Sequence, residues 1–481
     1  MLIEMDDKII IKMLVPYNPW WIDKKGSWRE EIPSFKRDIV ERILSDIWEL
    51  PQIISVTGPR RVGKTTALRQ VVCHLLDMMQ LSPERILYFS FDDPEVFASQ
   101  DLQRKMFDKL VEYAEAKGAN RKAPFFFFLD EIQRFPRWEL FLKKYYDLKV
   151  PVRFVVSGSA SSHIFRSSQE SLLGRIKDRH LLPFSFREYC QYTLRMEQGF
   201  PSVLSEPEAL RKIILDEKAE DALHYLQMLD KKIAPFNSGI SRAIVEYCRE
   251  GGFPEVWSIR DPVRKMEYLM EQQVRKVLYE DLMSLAKYKK PENVLRFFVY
   301  LLAHPGTEIN TAKVAGEIEV ERRVVEENFP RLILTDLIIR IQKFIHKPLR
   351  VKQGNIKCYP IDLALRNAVL KTWQDYTADP MMMGLYAENL VARQLLTWTE
   401  AIDISFYREK NTEVDFIVTH RGDRYLPIEV KHRQCKEMTT GLKHFMRKYR
   451  LPFGLMVTRE RQLLLEDGIL CIPLRYFLLA T

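Results

Sequence analysis

Residues 58–66 read Gly-Pro-Arg-Arg-Val-Gly-Lys-Thr-Thr, a complete G-x-x-x-x-G-K-[ST] loop, directly after the apolar run Ile53-Ile54-Ser55-Val56. A strand that turns through such a loop into a helix sets the plan of the chain around it, because the loop works only where strand, glycines and helix N-terminus meet. Gly58 and Gly63 let the backbone turn tightly enough for consecutive N–H groups to point inward at a phosphate. Lys64 reaches toward β- and γ-phosphates, and Thr65 supplies a hydroxyl for Mg²⁺. The helix that Lys64 opens turns its positive end to the same anion. Arg61 and Thr66, in the same loop and first turn, complete the expected nucleotide-binding set.

The second motif is Phe125-Phe126-Phe127-Phe128-Leu129 followed by Asp130-Glu131. A short run that is apolar on both faces reads as a central strand of a parallel sheet. An acidic pair at its carboxyl end falls beside the phosphate loop. Asp130 is expected to hold the Mg²⁺ shell through water, and Glu131 to orient or deprotonate the attacking water. A site that only bound nucleotide would not need the second carboxylate.

Around these motifs strand and helix patterns alternate. Strands are expected at 52–57, 85–91, 124–129 and 152–157, with a short one near 179–183, and helices at 64–80, 101–117, 137–147 and 185–195. This is the pattern of a parallel sheet covered by helices on both faces. The strand Val152–Val156 ends in Ser157-Gly158-Ser159. If it lies between the two motif strands, Ser157 can sense the γ-phosphate; otherwise the serine serves as a helix cap. Arg166, Arg175 and Arg179 follow. Arg175, after Gly174, is the candidate arginine finger, with a structural ion pair as the alternative.

At 481 residues the chain has room for about three domains. No apolar run is long enough to span a bilayer, and no signal peptide precedes residues 1–20, so no membrane partner and a cytoplasmic location are expected. The six cysteines, at 73, 190, 248, 358, 435 and 471, are scattered and form no C-x-x-C pair. Neither zinc nor a disulfide framework is expected. Trp20 and Trp21, adjacent in a polar N-terminal arm, need a surface to cover, and the ATPase core is the nearest. These patterns divide the chain into an arm (1–50), a P-loop core (51–195), a helical connector (196–260), a helical and winged-helix segment (261–380) and a C-terminal α/β unit (381–481).

The winged-helix reading rests on helices at 311–318 and up to about residue 334, then strand-like stretches at 337–346 and 349–360. Between Asp336 and Asp362 there is no acid, but Arg340, Lys343, Lys347, Arg350, Lys352 and Lys357 are present. Such a wing suits phosphates, or is merely solvated. The would-be recognition helix carries Glu319, Glu321, Glu326 and Glu327 beside Arg322 and Arg323, which argues against base reading in a major groove. A second basic stretch contains Lys436, Lys443, Arg447, Lys448 and Arg450.

In the last hundred residues, a helix carrying Glu388 precedes Glu413-Val414-Asp415-Phe416, a turn at Arg421-Gly422-Asp423, and Pro427-Ile428-Glu429-Val430-Lys431. Glu429 and Lys431, two apart on a strand, share a face, and Asp415 can point the same way. Two carboxylates make a hard oxygen site for Mg²⁺ or Mn²⁺, with Glu388 as an outer ligand and Lys431 beside the scissile phosphate. A salt bridge to Lys431 is the alternative account of the same acids.

The ordered pieces GPRRVGKTT, FLDEIQ, SGSAS, LLGR with LPFSFREY, GGFPEVW and YAENLVARQLL…EVDFIV…PIEVK span most of the chain. Together they resemble the prokaryotic AAA-like P-loop ATPases that carry a C-terminal domain of unknown function ending in a restriction-endonuclease-like fold. The resemblance implies an additional-strand P-loop core, a winged helix and a PD-(D/E)XK-type tail whose catalytic positions fall on Glu388, Asp415, Glu429 and Lys431. The expected activity is ATP hydrolysis coupled to the binding or processing of DNA through its backbone, with the tail a candidate Mg²⁺-dependent nuclease. The alternative is a nucleotide-driven regulatory or defence-type switch whose tail only binds or dimerises. A homo-oligomer is compatible with either, and the sequence specifies no protein partner.

Overall fold

The computed structural model describes residues 12–23, 26–94, 100–120, 123–159, 172–194, 207–282, 291–346, 355–373, 379–398, 402–431, 440–459 and 463–481. Arg166, Lys347, Arg350, Lys352, Cys435 and Lys436 lie outside them. The chain divides into two units, Met1–Leu182 and Pro183–Thr481.

The first unit is built on five parallel strands: β1 (Ile53–Thr57), β2 (Ile86–Ser90), β3 (Phe125–Asp130), β4 (Val152–Ser157) and β5 (Ile176–His180). Their spatial order is β2-β3-β4-β1-β5. β4 therefore lies between the strand of the phosphate loop and that of the acidic pair, with Val56 opposite Ser157 and Leu129 opposite Val156. β3 is buried along its whole length because one face meets a ring cluster. There Phe107 stacks near Phe135, Tyr145 and Phe154. Before and between the strands come α1 (Asp38–Glu49), α2 (Lys64–Asp77), α3 (Gln100–Ala116) and α4 (Trp138–Asp147). β5 begins three residues ahead of the expected strand near 179. Its residues are charged because it is an edge strand with an exposed face, so apolar periodicity misplaces it.

The opposite edge strand, β2, is covered by the N-terminal arm. Trp20 and Trp21 both donate from Nε1 to the Ile86 carbonyl, at 3.1 Å each. The Asn18 carboxamide closes on Tyr88 from both sides, accepting from its N–H at 2.7 Å and donating to its carbonyl at 2.8 Å. The arm thus satisfies backbone groups that an open sheet edge would leave exposed.

The second unit begins with helices: α5 (Phe186–Thr193), α6 (Pro207–Leu215), α7 (Ala219–Ile233), α8 (Asn237–Glu250), α9 (Pro254–Trp257) and α10 (Pro262–Leu269). α10 runs on into a π-helical stretch, Met270–Leu282. α5 lies beyond the first unit, although its sequence pattern continued that of the ATPase core. Then come α11 (Pro291–Ala303), α12 (Thr311–Glu317), α13 (Arg322–Ile333), β6 (Ile338–Lys343), β7 (Ile356–Pro360) and α14 (Leu363–Val369). The C-terminal part runs α15 (Pro380–Leu395), β8 (Ile402–Glu409), β9 (Thr412–His420), β10 (Arg424–Lys431), α16 (Thr440–Tyr449), β11 (Gly454–Thr458), β12 (Leu464–Glu466), β13 (Ile469–Pro473) and α17 (Leu474–Ala480).

The helices and hairpin expected of a winged helix are present, but the hairpin does not stand alone. β6 pairs in parallel with β8, so one eight-stranded mixed sheet runs β12-β13-β11-β10-β9-β8-β6-β7 across the boundary expected at 380. Ile338, Ile339 and Ile341 are buried in it, so one face of β6 packs into the sheet while Arg340 and Gln342 stay exposed.

Among the described cysteines, Cys471 is disulfide-bonded, whereas Cys73, Cys190, Cys248 and Cys358 form no disulfide. Sequence spacing does not report which residues the fold brings together. No helix among the described residues is long and apolar enough to cross a membrane.

Candidate functional site: the phosphate loop and a buried charge cluster

The loop between β1 and α2 has the backbone its glycines suggest. Gly63 caps α2 with φ +96°. Gly58 has φ +145°, and a Cβ there would lie 2.0 Å from the Leu181 carbonyl oxygen, so no other residue fits. Arg61 also takes a left-handed conformation (φ 62°) at the turn of the loop. Lys64 is buried, and its ammonium donates to the Gly58 and Pro59 carbonyls at 3.0 and 2.8 Å. The cation sits inside the curl of the loop. Thr66 follows in the first turn of α2.

Asp130, at the end of β3, is the hub. Its Oδ2 accepts from Thr65 Oγ1 at 2.6 Å and from the Tyr88 hydroxyl at 2.7 Å. Its Oδ1 accepts from Ser157 Oγ and from the Glu131 N–H. Ser157 thus reaches the acidic pair because β4 is interposed, the condition under which a sensing role was expected. Neighbouring ligand oxygens of an octahedral Mg²⁺ at about 2.0–2.1 Å stand roughly 2.9 Å apart. The Thr65 hydroxyl and the Asp130 carboxylate are close enough to share such a shell, so these residues fit the ion.

Glu131 is turned out of the strand by a left-handed backbone (φ 50°), an unusual conformation for this residue type and one that clusters at functional sites. Burial, and then the Asp130 carboxylate, push its pKa above the ordinary carboxylate value, while Lys64 opposes the shift. A carboxylate so raised is a better proton acceptor than a free one.

Arg175 is not brought to this site. It immediately precedes β5 at the amino end of the sheet, with Ile53 opposite Ile176, and its guanidinium pairs with Asp147 at 2.8 Å. The phosphate loop lies at the carboxyl end of the same strands. Arg179 pairs with Asp46. Both arginines take the ion-pair alternative.

In the second unit, α15, β7, β9 and β10 bring acids and lysines together. Asp415 Oδ2 accepts from the Val430 N–H at 2.8 Å. The Lys431 ammonium lies 2.5 Å from Glu429 Oε1, while the buried Glu429 Oε2 has no hydrogen-bond partner among the described residues. Glu388 accepts from the Tyr359 hydroxyl at 2.7 Å and lies 3.6 Å from the Lys357 ammonium. Lys357 also pairs with Glu413 at 2.6 Å. Burial, then Asp415, push Glu388 up to about 7 and Glu429 up to about 8. Burial also raises Asp415. Desolvation pulls Lys357 and Lys431 down, but the carboxylates around them outweigh it and hold both above their ordinary value.

One expectation is corrected here. Lys357 is not a wing cation facing phosphates: its strand turns it inward, where it is buried against Glu388 and Glu413. Glu388, Asp415 and Glu429 stand in one buried cluster with Lys357 and Lys431. Among the described residues no group of three acidic, histidine or cysteine side chains is arranged to hold an ion. Glu388 is engaged by Tyr359 and Lys357, and Glu429 Oε1 by Lys431. Lys431 does line a cavity of about 430 Å³, together with Ser241, Thr458, Arg459 and Arg475.

Cations of the acidic would-be recognition helix and of the second basic stretch are paired with acids. Arg322 and Arg323 pair with Glu326 and Glu327 along α13. Lys443 pairs with Asp467, and Lys448 with Glu409.

Residues 50–190 match the family model of the AAA domain. Residues 241–375 match a domain of unknown function, DUF8612, and residues 383–477 another, DUF4143. Comparison with curated proteins finds no match. A solved structure from C. elegans, titled as that of PCH-2, is similar at 18% identity over 35% of this chain and 45% of that chain, with a TM-score of 0.23. The chain thus spans under half of that protein, and a likeness so slight carries no weight. The AAA match takes in the phosphate loop, Asp130-Glu131 and β4, and the parallel five-stranded sheet is consistent with an AAA-like P-loop domain.

Proposed function

We propose that the protein hydrolyses ATP with Mg²⁺ at the β1–α2 loop and uses the turnover as a regulatory switch acting on nucleic acid. One observation carries the ATPase reading: Asp130 is bonded to Thr65 and Ser157 on the strands and helix that flank it, with Glu131 next to it. Bound Mg²⁺ would neutralise charge on the transferring phosphoryl group. The chain's own residues do the rest. The loop N–H groups and Lys64 seat the phosphates, Thr65 and Asp130 hold the ion, Ser157 reports on the γ-phosphate, and Glu131 takes the proton of the attacking water. Glu131→Gln keeps the shape and removes the base. It should bind ATP like the wild type and lose turnover by at least about a hundredfold. Wild-type turnover in Glu131→Gln moves the base elsewhere.

The switch is favoured over cutting because Asp415 and Glu429 are buried and the Lys431 ammonium is paired with Glu429 Oε1. A second reading, a Mg²⁺- or Mn²⁺-dependent nuclease of the restriction-endonuclease type, draws support from the order α15-β8-β9-β10-α16-β11 and from the cavity beside Lys431. Incubation of single-stranded, double-stranded and branched DNA with either ion, with and without ATP, separates the two. Cleavage that Asp415→Ala abolishes, with ATPase intact, establishes the nuclease; no cleavage leaves the switch.

A further inference from the structure

We propose that Tyr88 is a positioning residue of the Mg²⁺–nucleotide site and that the N-terminal arm sets it through Asn18. The inference rests on the ATPase reading above and names a control that neither the loop nor the acidic pair contains. Tyr88 and Thr65 donate to the same oxygen, Asp130 Oδ2, at 2.7 and 2.6 Å. A Thr65 hydroxyl that met a metal through an oxygen lone pair would keep its proton for Asp130. The Tyr88 hydroxyl is the second donor to that carboxylate oxygen, and it fixes the orientation of the carboxylate together with Thr65. The hydroxyl is built for this, buried and flanked by the Arg69 guanidinium, whose carbon lies 5.8 Å from the ring centroid.

The residue that carries this hydroxyl sits on an edge strand, where one side of the backbone lacks a neighbouring strand. Asn18 supplies it, bonding both the N–H and the carbonyl of Tyr88 itself. The grip is reinforced above and below. Trp20 and Trp21 hold the Ile86 carbonyl, and Tyr17 donates to Asp93 Oδ2 at 2.8 Å just past the strand. The Tyr17 ring also meets Phe89 edge-on at 5.1 Å. A path of direct contacts therefore runs from the arm through Asn18 and Tyr88 to the carboxylate that holds Mg²⁺. Simple edge protection would be served by any donor and acceptor along β2. Here the paired grip falls on the one residue of the strand whose side chain reaches Asp130. Arm docking and metal binding are then linked, so that what loosens the arm weakens Mg²⁺, and Mg²⁺ with nucleotide tightens the arm.

The test uses the full chain, with ATP binding followed by calorimetry as Mg²⁺ is titrated. Melting curves confirm that each variant is folded. In Tyr88→Phe, which removes only the hydroxyl, the Mg²⁺ concentration at half-effect should rise about tenfold, the loss of one hydrogen bond to a charged group. ATP binding without Mg²⁺ should be unchanged, which a general loss of structure would not allow. Asn18→Ala should raise the same midpoint about threefold and add nothing in the Tyr88→Phe background. If Asn18→Ala does not fold, Asn18→Ser, with a donor and an acceptor on a shorter side chain, serves instead. A wild-type midpoint in Tyr88→Phe, or a full Asn18 effect in its background, overturns the inference while the ATPase reading stands. A wild type that binds no Mg²⁺–ATP overturns both.

Discussion

Replacing Lys357 by methionine removes a buried ammonium and nearly preserves the length of the side chain. In the fold that ammonium lies 2.6 Å from Glu413 Oε1 and 3.6 Å from Glu388 Oε1. At an effective dielectric of about 20, each contact contributes roughly 5 kcal/mol of gross attraction, most of which offsets the desolvation of the charges. Removing one partner leaves the others uncompensated, at a cost of about 3–5 kcal/mol. The loss depends on pH, and the sign follows from Glu388. Its folded value, about 7, lies above the ordinary 4.5. Such a group contributes stability that is fully present below the unfolded value and is lost as pH rises through the folded one. Lys357 is among the groups that restrain this rise, so Lys357→Met pushes Glu388 further up and deepens the loss on the alkaline side. In acid Glu388 is protonated and needs no counter-charge. We expect a loss of about 3–5 kcal/mol near pH 8 that shrinks to about 1 kcal/mol near pH 5. Urea unfolding of the full chain at both pH values measures it, with hydrogen exchange in β7, β9 and β10 identifying the relevant transition. Equal losses at the two pH values, or less than about 1 kcal/mol near pH 8, would refute the reasoning.

Gly58→Ala should lose ATP binding by at least about tenfold, because a Cβ would meet the Leu181 carbonyl and displace the loop; calorimetry that finds wild-type affinity contradicts the loop geometry. Arg175→Ala should keep ATP turnover within about twofold, since the guanidinium is engaged by Asp147 away from the loop. A drop beyond about tenfold would place it in a neighbouring chain's site. If the protein binds duplex DNA, Arg340→Ala should reduce the slope of log affinity against log salt by about 0.9, whereas Lys357→Met should leave it unchanged; filter binding over a salt series reads both.

The first unit was largely legible because its signals are local. A phosphate loop needs its glycines and lysine within a few residues, and a fully buried strand shows itself as a run of phenylalanines. The interposed strand was legible only as a condition, since strand order is a tertiary fact. Tyr88 and Asn18 escaped because nothing marks a tyrosine in an apolar strand, or an asparagine before two tryptophans, until the fold joins them 70 residues apart in sequence. Lys357 was misread for a related reason. Charge along the chain does not say which face of a strand a lysine takes, and β7 turns this one inward. Arg175 looked available because Gly174 precedes it, but the register of β5 puts it at the far end of the sheet.

The pairing of β6 with β8 also bears on how the protein is made. A ribosome delivers residues 338–343 well before residues 402–409, so β6 must wait for the neighbour that completes it. Until then its backbone offers N–H and C=O groups along a strand with three buried isoleucines, a template for any other nascent strand. Arg340 and Gln342, exposed in the finished sheet, interrupt the apolar run and make it a poorer target during that interval. A fragment cut at residue 383, where the last family match begins, would lack β6 altogether and leave β8 with a raw margin. The natural seam for excision therefore lies upstream of the hairpin, ahead of residue 338.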